Sequence, residues 1–374
     1  MPHLVAIDLP GGAAFVDALR RIWDNGDAAF PLDRRLPPAA RQAVLATVRP
    51  DRVIDERGLH SVEVSADPDC NGIEEGDALV VATSGTTGLP KGVVLTHDAV
   101  TASAVATSAR LGVGADDVWL ACLPLSHVGG LSVITRAITT GTGLVVHDGF
   151  DASAVEQAAR EDATLVSLVA TAMRRIDTDL FRKIVLGGSR PPEDLPGNVV
   201  TTYGMTETGS GVVYDGKPLD GVEIDIDEHG EIHLRCPMLF RSYRDGSCPL
   251  VDGWFATGDL GEFAADGRLV VLGRRGDVIN TGGEKVWPAH VEAVIAADPS
   301  VAGVAVAGVD DEEWGQRVVA WIVPAESSSL PTLDSIRSYV AASLPMYMAP
   351  REIRLVDALP TTSSGKVLRR ELPN

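Results

Sequence analysis

The chain has 374 residues, 45% of them hydrophobic, and 52 acidic against 32 basic residues give it a formal charge of −20. That length allows two packed domains, and the charge excludes a broad basic face for nucleic acid or anionic lipid, so any phosphate has to be held locally. The N-terminus MPHLVAIDLPGG lacks a basic segment followed by a long apolar run, and Arg136 interrupts the apolar stretch from Leu131 to Val146. The expectation is a cytoplasmic protein without membrane insertion. Cys70, Cys122, Cys236 and Cys248 form no CxxC pair and no zinc or disulfide spacing, so they read as reduced structural thiols.

In chain order, residues 1 to about 75 read as a short preamble with helix-like pieces such as AAFVDALRRIWDNG. From Asp77 the β-rich runs ALVVAT, DVWLACL, GLVVH, TLVSLV, KIVLGG and NVVTTYG alternate with helix-compatible stretches. That is the pattern of βαβ units on a largely parallel sheet, with ligand at the strand ends. Between about 211 and 273 polar and apolar residues alternate, and a His229-Gly230 turn joins two antiparallel strands. After GRRGD, the helix-like WPAHVEAVIAAD, a strand pair at VAGVAVAGV and RVVAWIVPA, and the helix-like TLDSIRSYVAASL predict a compact α+β unit. The predicted fold class is α/β. It comprises a large domain over 1–273 of parallel-rich sheets and helices with a small β subdomain at 211–273, then a small α+β domain over 274–374, with a hinge at 274–277.

The chemistry concentrates in a few strings. Thr83-Ser84-Gly85-Thr86-Thr87-Gly88-Leu89-Pro90-Lys91 follows a strand and gathers hydroxyls, glycines and a lysine. Glycines let backbone N–H groups approach phosphate oxygens, hydroxyls add neutral donors, and the lysine adds a point charge. It is not a Walker A loop, because Pro90 and Gly92 stand where that pattern needs Gly and Ser or Thr. In Thr202-Tyr203-Gly204-Met205-Thr206-Glu207, placed in a loop at the sheet's ligand edge, Tyr203 can stack on a nucleobase and Thr206 can donate to phosphate. Glu207 offers a hard oxygen to magnesium. Asp259 ends WFATGD with a carboxylate able to accept from two ribose hydroxyls. Gly282-Gly283 follow the boundary segment, and Lys366 lies near the C-terminus in SSGKVLRR. Asp151 or Ser153 reads as an N-cap of AVEQAARED. No metal-ligand spacing or GxSxG elbow surrounds His97 or His127, which disfavours hydrolase chemistry.

In this order, the phosphate loop, TYGMTET, ATGD, the GR hinge and the terminal GKVLR resemble the acyl-adenylate-forming superfamily from about Asp77 to Arg370. The resemblance implies ATP, Mg2+ and coenzyme A, an acyl-adenylate, and then an acyl-CoA. It implies that Thr83 to Lys91 grip the β- and γ-phosphates, Tyr203 stacks near adenine, Thr206 meets the α-phosphate and Glu207 holds magnesium. Asp259 and Arg274 would hold ribose, and Gly282-Gly283 would face the thiol. Lys366, on a mobile C-terminal domain, would bridge carboxylate and α-phosphate. Gly276 departs from the family's usual hinge residues, leaving Asp277 as the nearest polar candidate, and the loop's early position implies a reduced N-terminal subdomain.

Within the superfamily, LPLSHVGGL and TYGMTETGSGVVYDGKPLDGV look most like the compact actinobacterial o-succinylbenzoate–CoA ligases of menaquinone biosynthesis. That implies an acyl pocket with Ser126, His127, Gly187, Gly188 and Ser189. A second carboxylate on the acid calls for a cation, and Arg136 and Arg190 are the candidates. Another acyl-CoA ligase, a carrier-loading enzyme and a noncatalytic nucleotide binder are the alternatives, and a homodimer is compatible with the sequence.

Overall fold

The computed structural model describes residues 1–62, 72–84, 90–188, 191–192, 194–325, 330–361 and 367–373, Ser84 by its backbone only. Two compact units emerge, Met1–Ile224 with Leu234–Phe255, and Asp225–His233 with Ala256–Asn374. The chain therefore changes unit at 255/256, ahead of the expected boundary at 274, and Asp225–His233 belongs with the second unit.

The first unit holds two seven-stranded sheets. One is built from β1 (Leu4–Ile7), β2 (Ala28–Pro31), β3 (Arg52–Asp55), β4 (Gly58–Ser61), β5 (Asp77–Ser84), β6 (Pro90–Thr96) and the short strand Ser242–Tyr243. Residues 1–75 are thus no preamble. All four residues of β1 and of β2 are buried, the mark of strands covered on both faces. Helix α1 (Ala13–Asp24) packs on β1 and β2, and α2 (Pro38–Val48) on β5 and β6. β5 pairs parallel with β2 and antiparallel with β6, so ALVVAT belongs to this mixed sheet and not to the sheet that holds the other β-rich runs.

The parallel set follows. After α3 (His97–Leu111), the strands β7 (Val118–Ala121), β8 (Gly143–Val146), β9 (Leu165–Leu168), β10 (Lys183–Leu186) and β11 (Val199–Met205) run parallel in the order β8-β7-β9-β10-β11. β12 (Ser210–Tyr214) adds on antiparallel, which takes the start of the expected β subdomain into the large sheet. Helix α4 (Val128–Thr140) lies between β7 and β8, and α5 (Ala152–Glu161) between β8 and β9. Asp151 caps α5 as expected, its side chain accepting from Ala154 N–H. Helices α3 and α4 pack on each other, α3 also touching β5, β6 and β12, and α4 touching β7, β9 and β12, so this pair forms the layer between the sheets.

In the second unit, strands Ile279–Thr281, Glu284–Val286, Val301–Asp311, Gly315–Pro324 and Glu352–Leu355 form one sheet with helices Pro288–Ile295 and Leu333–Ala341. Ile279, Val286, Val291, Ile295, Val306, Val318, Ile322, Ile336 and Val340 make its core. This is the predicted α+β unit. The turn before β-strand Glu231–Arg235 has Gly230 at φ +83°, its N–H on Asp227 O, as the His229-Gly230 signal predicts.

No helix among the described residues is long and apolar enough to cross a membrane. Burial pushes the Cys122 thiol up to about 12 and that of Cys236 to about 11, which makes both unreactive near neutral pH. Cys70 lies outside the described residues.

One glycine fixes the position of the site. The register between β11 and β12 shifts at Tyr203/Gly204, and a Cβ on Gly204 would lie 2.2 Å from the Ser210 carbonyl oxygen. Gly204→Ala should lower the unfolding free energy by about 1–3 kcal/mol. Gly149→Ala, with nothing within 4 Å of its new Cβ, should leave thermal denaturation unchanged. Equal melting curves for the two variants would refute the close approach.

Candidate active site

The β5–β6 hairpin sets the first group of site residues. Its register pairs Thr83 with Lys91 and Ser84 with Pro90. Gly85, Thr86, Thr87 and Gly88, between them in sequence, lie outside the described residues, as do Ser189, Arg190 and Lys366. Lys91 is half-buried, and its Nζ lies 4.6 Å from the centroid of the Tyr243 ring, a cation–π arrangement. Tyr243 belongs to the short strand that pairs with β6, opposite Val93. Its hydroxyl donates to Glu207 Oε1 at 2.9 Å, and the backbone N–H of Phe240 donates to the Glu207 carbonyl at 2.8 Å. Glu207 is thereby fixed at both backbone and side chain.

Three residues expected in one loop prove to occupy two different elements. β11 runs on to Met205, so Tyr203 stands on a strand opposite Val213 rather than in a loop. Thr206 and Glu207 then open a 3-10 turn over Thr206–Thr208, ended by Gly209 at φ +66°. The buried Thr208 hydroxyl accepts from Met205 N–H at 3.0 Å and donates to the Ser210 carbonyl at 2.7 Å, which ties both ends of the turn. The turn therefore presents Thr206 and Glu207 together, beside the half-buried Tyr203.

Ser126 and His127 precede α4, with Ser126 buried and His127 at the N-cap position. Gly130 permits this, since a Cβ there would lie 2.4 Å from the Leu123 carbonyl oxygen. His127 Nε2 lies 3.8 Å from Asp33 Oδ2, and Arg35 holds that carboxylate with Nε and Nη2 at 2.9 and 2.8 Å. Burial pushes the His127 pKa below its ordinary value, Arg35 adds to the fall and Asp33 opposes it, so the imidazole is neutral at neutral pH. Gly187 and Gly188 directly follow β10. Gly188 has φ +91°, and a Cβ on Gly187 would lie 2.8 Å from Thr202 Oγ1.

Strands Trp254–Phe263 and Leu269–Arg274 pair Asp259 with Arg274, both residues of the second unit. The side chains meet too, Arg274 Nε lying 2.9 Å from Asp259 Oδ1, and Arg274 Nη1 donates to the Thr257 carbonyl at 2.8 Å. Gly282 and Gly283 have φ of +60° and +86°. The Gly282 N–H donates to the Trp314 carbonyl, and a Cβ there would lie 2.7 Å from the Trp314 ring. Asp227, Glu231 and His233 bring ligand atoms within 4.8 Å of one another, but this group is a structural clasp. Asp227 accepts from the His229 and Glu231 N–H groups, and Glu231 accepts from Gly258 N–H and Arg275.

Sequence reasoning missed Tyr243 and Asp33, because no local pattern marks a residue that meets Glu207 or His127 from a distant segment of the chain. It carried Lys91 and Glu207 as separate motifs, and the structure links them through one tyrosine ring.

The family described as AMP-binding enzyme matches residues 2–244, and its C-terminal domain matches 290–366. A probable 2-succinylbenzoate–CoA ligase of Mycobacterium tuberculosis is 37% identical, the match covering 98% of this chain and 97% of the relative. The o-succinylbenzoate CoA synthetase of Bacillus subtilis in complex with its acyl-adenylate intermediate superposes with a TM-score of 0.87 at 30% identity, covering 100% of this chain and 88% of that one. The same synthetase with ATP and magnesium ion gives 0.86 at 30% identity, covering 99% and 89%. Matched in both domains and along nearly the full length of a ligase, the chain belongs to the AMP-binding enzyme family, among the 2-succinylbenzoate–CoA ligases.

Proposed function

We propose that the chain activates o-succinylbenzoate with ATP and passes the acyl group to coenzyme A, releasing AMP and pyrophosphate. The linked trio of Lys91, Tyr243 and Glu207 carries the adenylation step, and the relatives' acid supplies the substrate. A carboxylate oxygen of the acid attacks the α-phosphorus and the bond to pyrophosphate breaks. The thiol sulfur of coenzyme A then attacks the acyl carbon, AMP leaves, and the thiol proton goes to solvent or a nearby base.

Glu207 fits a magnesium ion, because it is a hard oxygen donor whose Oε1 is oriented by Tyr243 while Oε2 takes no partner among the described residues. Magnesium usually takes only one or two protein carboxylates and fills its shell with water and substrate phosphates. When bound, it neutralises phosphate charge. Lys91 and the residues from Thr83 to Gly88 hold the β- and γ-phosphates, Thr206 donates to the α-phosphate, and Tyr203 flanks the adenine. Asp259 and Arg274 hold the ribose, and their ion pair orients the carboxylate for it. Ser126, the neutral His127, Gly187, Gly188 and Ser189 line the acyl pocket, and Gly282 and Gly283 face the thiol. Lys366 bridges carboxylate and α-phosphate during adenylation and withdraws as the chain turns about 274–277.

Three outcomes follow from these assignments. Purified enzyme should form a CoA thioester from o-succinylbenzoate far faster than from benzoate or fatty acids, and failure on o-succinylbenzoate removes the substrate assignment. Lys366→Ala should slow acid-dependent pyrophosphate release by about 10²-fold or more, while conversion of supplied acyl-adenylate to thioester changes only a few-fold. Equal losses in both half-reactions would contradict a role confined to adenylation. Glu207→Gln should lower ATP use and raise the magnesium concentration for half-maximal rate with little change in melting temperature. A large drop in melting temperature would make Glu207 structural.

A further inference from the structure

The short strand that carries Tyr243 also brings a negative charge beside Lys91. Ser242 and Tyr243 pair with Val94 and Val93, and the Arg244 N–H then donates to the Gly92 carbonyl at 2.8 Å. The stem of Arg244 lies directly on Gly92, where a Cβ would stand 2.6 Å from Arg244 Cγ. One residue further along each segment come Asp245 and Lys91, side by side at the end of this ladder.

A tight turn fixes Asp245 there. The Gly246 N–H donates to the Tyr243 carbonyl at 3.0 Å, with Gly246 at φ +80°, and the Tyr243 N–H donates to the Ser247 carbonyl at 2.8 Å. Asp245 Oδ1 accepts from the Ser247 N–H at 2.9 Å and from the Ser247 hydroxyl at 2.6 Å. The Ser247 hydroxyl holds the Asp245 carboxyl below its ordinary value, desolvation works against it, and the Ser247 N–H and the charge of Lys91 add to the fall. Asp245 is therefore ionised at neutral pH and feels Lys91. Lys91 makes no ion pair with it among the described residues, because its Nζ lies over the Tyr243 ring instead.

A carboxylate in this place opposes the binding of anions. Fixed beside the lysine, it repels whatever phosphate the lysine attracts, and the repulsion grows with the charge the phosphate carries. Asp245 is exposed, so solvent and salt confine the effect to a few-fold in affinity. A polyphosphate whose charge is partly neutralised by magnesium is penalised less than the same polyphosphate without metal.

We propose that Asp245 is a specificity-determining residue of the phosphate site at Lys91, its carboxylate disfavouring metal-free polyphosphate and so selecting the magnesium complex. This rests on the reading above that Lys91 holds the β- and γ-phosphates, and adds which ionic form of them the site takes. The Tyr243–Ser247 turn keeps the carboxylate at the site's edge, and the Tyr243 ring keeps the ammonium from collapsing onto it. The lysine thus stays open to phosphate while the neighbouring charge sets how much negative charge it accepts.

The test measures pyrophosphate binding by titration calorimetry on the full chain, once in EDTA and once in excess magnesium, for wild type, Asp245→Asn, Asp245→Glu, Ser247→Ala and Lys91→Ala. Asparagine keeps Oδ1 as the acceptor for Ser247, so the turn stays and only the charge goes. In Asp245→Asn, metal-free pyrophosphate should bind about three- to five-fold more tightly at low salt, the magnesium complex should change by less than about two-fold, and the difference should fade at high salt. Asp245→Glu keeps the charge and should keep the wild-type ratio between the two forms. Ser247→Ala loosens the turn without removing the charge and should do the same. An unchanged ratio in Asp245→Asn overturns the inference, as does weaker binding of both forms, which would make Asp245 a mere support for Lys91. Lys91→Ala separates the two readings. If it weakens pyrophosphate binding while Asp245→Asn leaves the ratio alone, only the role of Asp245 falls, and if it leaves binding unchanged, the phosphate reading of Lys91 falls with it.

Discussion

A carboxylate must be brought against a triphosphate by a chain that itself carries a net charge of −20. Positive charge therefore has to be local and aimed. In the first unit the cation proposed for that task is Lys91, held over the ring of Tyr243, whose hydroxyl holds Glu207. One side chain thus orients both a cation and a prospective metal ligand. Lys91 and Glu207 make no ion pair with each other in the described structure, an arrangement that fits the proposed roles of one toward phosphate and the other toward its counter-ion. The ring spaces them apart while fixing both, and a direct salt bridge would have quenched the pair.

The backbone that makes this possible is set by close approach rather than by charge. Gly204 lets β11 and β12 shift register just before the Thr206–Thr208 turn, and Thr208 pins both ends of that turn. Gly130 lets the loop carrying Ser126 and His127 fold against the first turn of α4. Gly282 packs its backbone on Trp314. Each glycine stands where a Cβ would meet carbonyl oxygen or an aromatic ring, so the positions that look like flexible loop in sequence are among the most tightly packed in space.

The chemistry-bearing strings were legible in the sequence because they are local. Loop composition marked Lys91, a turn signal marked Gly230, and a capping pattern marked Asp151. Pairing between distant segments left no such mark. Residues 1–75 looked like a preamble because β1 to β4 are short and completed only by β5 and β6. The run ALVVAT has a parallel neighbour in β2 and an antiparallel one in β6, and a strand buried on both faces does not show in sequence which sheet it joins. The strand Ser242–Tyr243 is two residues long, too short for any periodicity, yet it delivers the tyrosine on which the trio depends. Asp225–His233 joins the second compact unit through Glu231, which is held by Gly258 N–H and Arg275, a pairing that likewise leaves no local mark.

In the second unit the C-terminal tail is fastened to the segment around Asp277. Arg369, three residues after Lys366, places Nη2 2.7 Å from both oxygens of Glu292 and Nη1 3.2 Å from Asp277 Oδ2. Its Nε donates to the Val306 carbonyl at 3.1 Å. A guanidinium held by two carboxylates and a carbonyl is a stiff joint, and Leu368 N–H on the Pro360 carbonyl with the Thr361–Val367 bridge closes the chain just before it. The segment that ends in Asp277 and the tail that carries the lysine are thus fastened to the same core at Glu292.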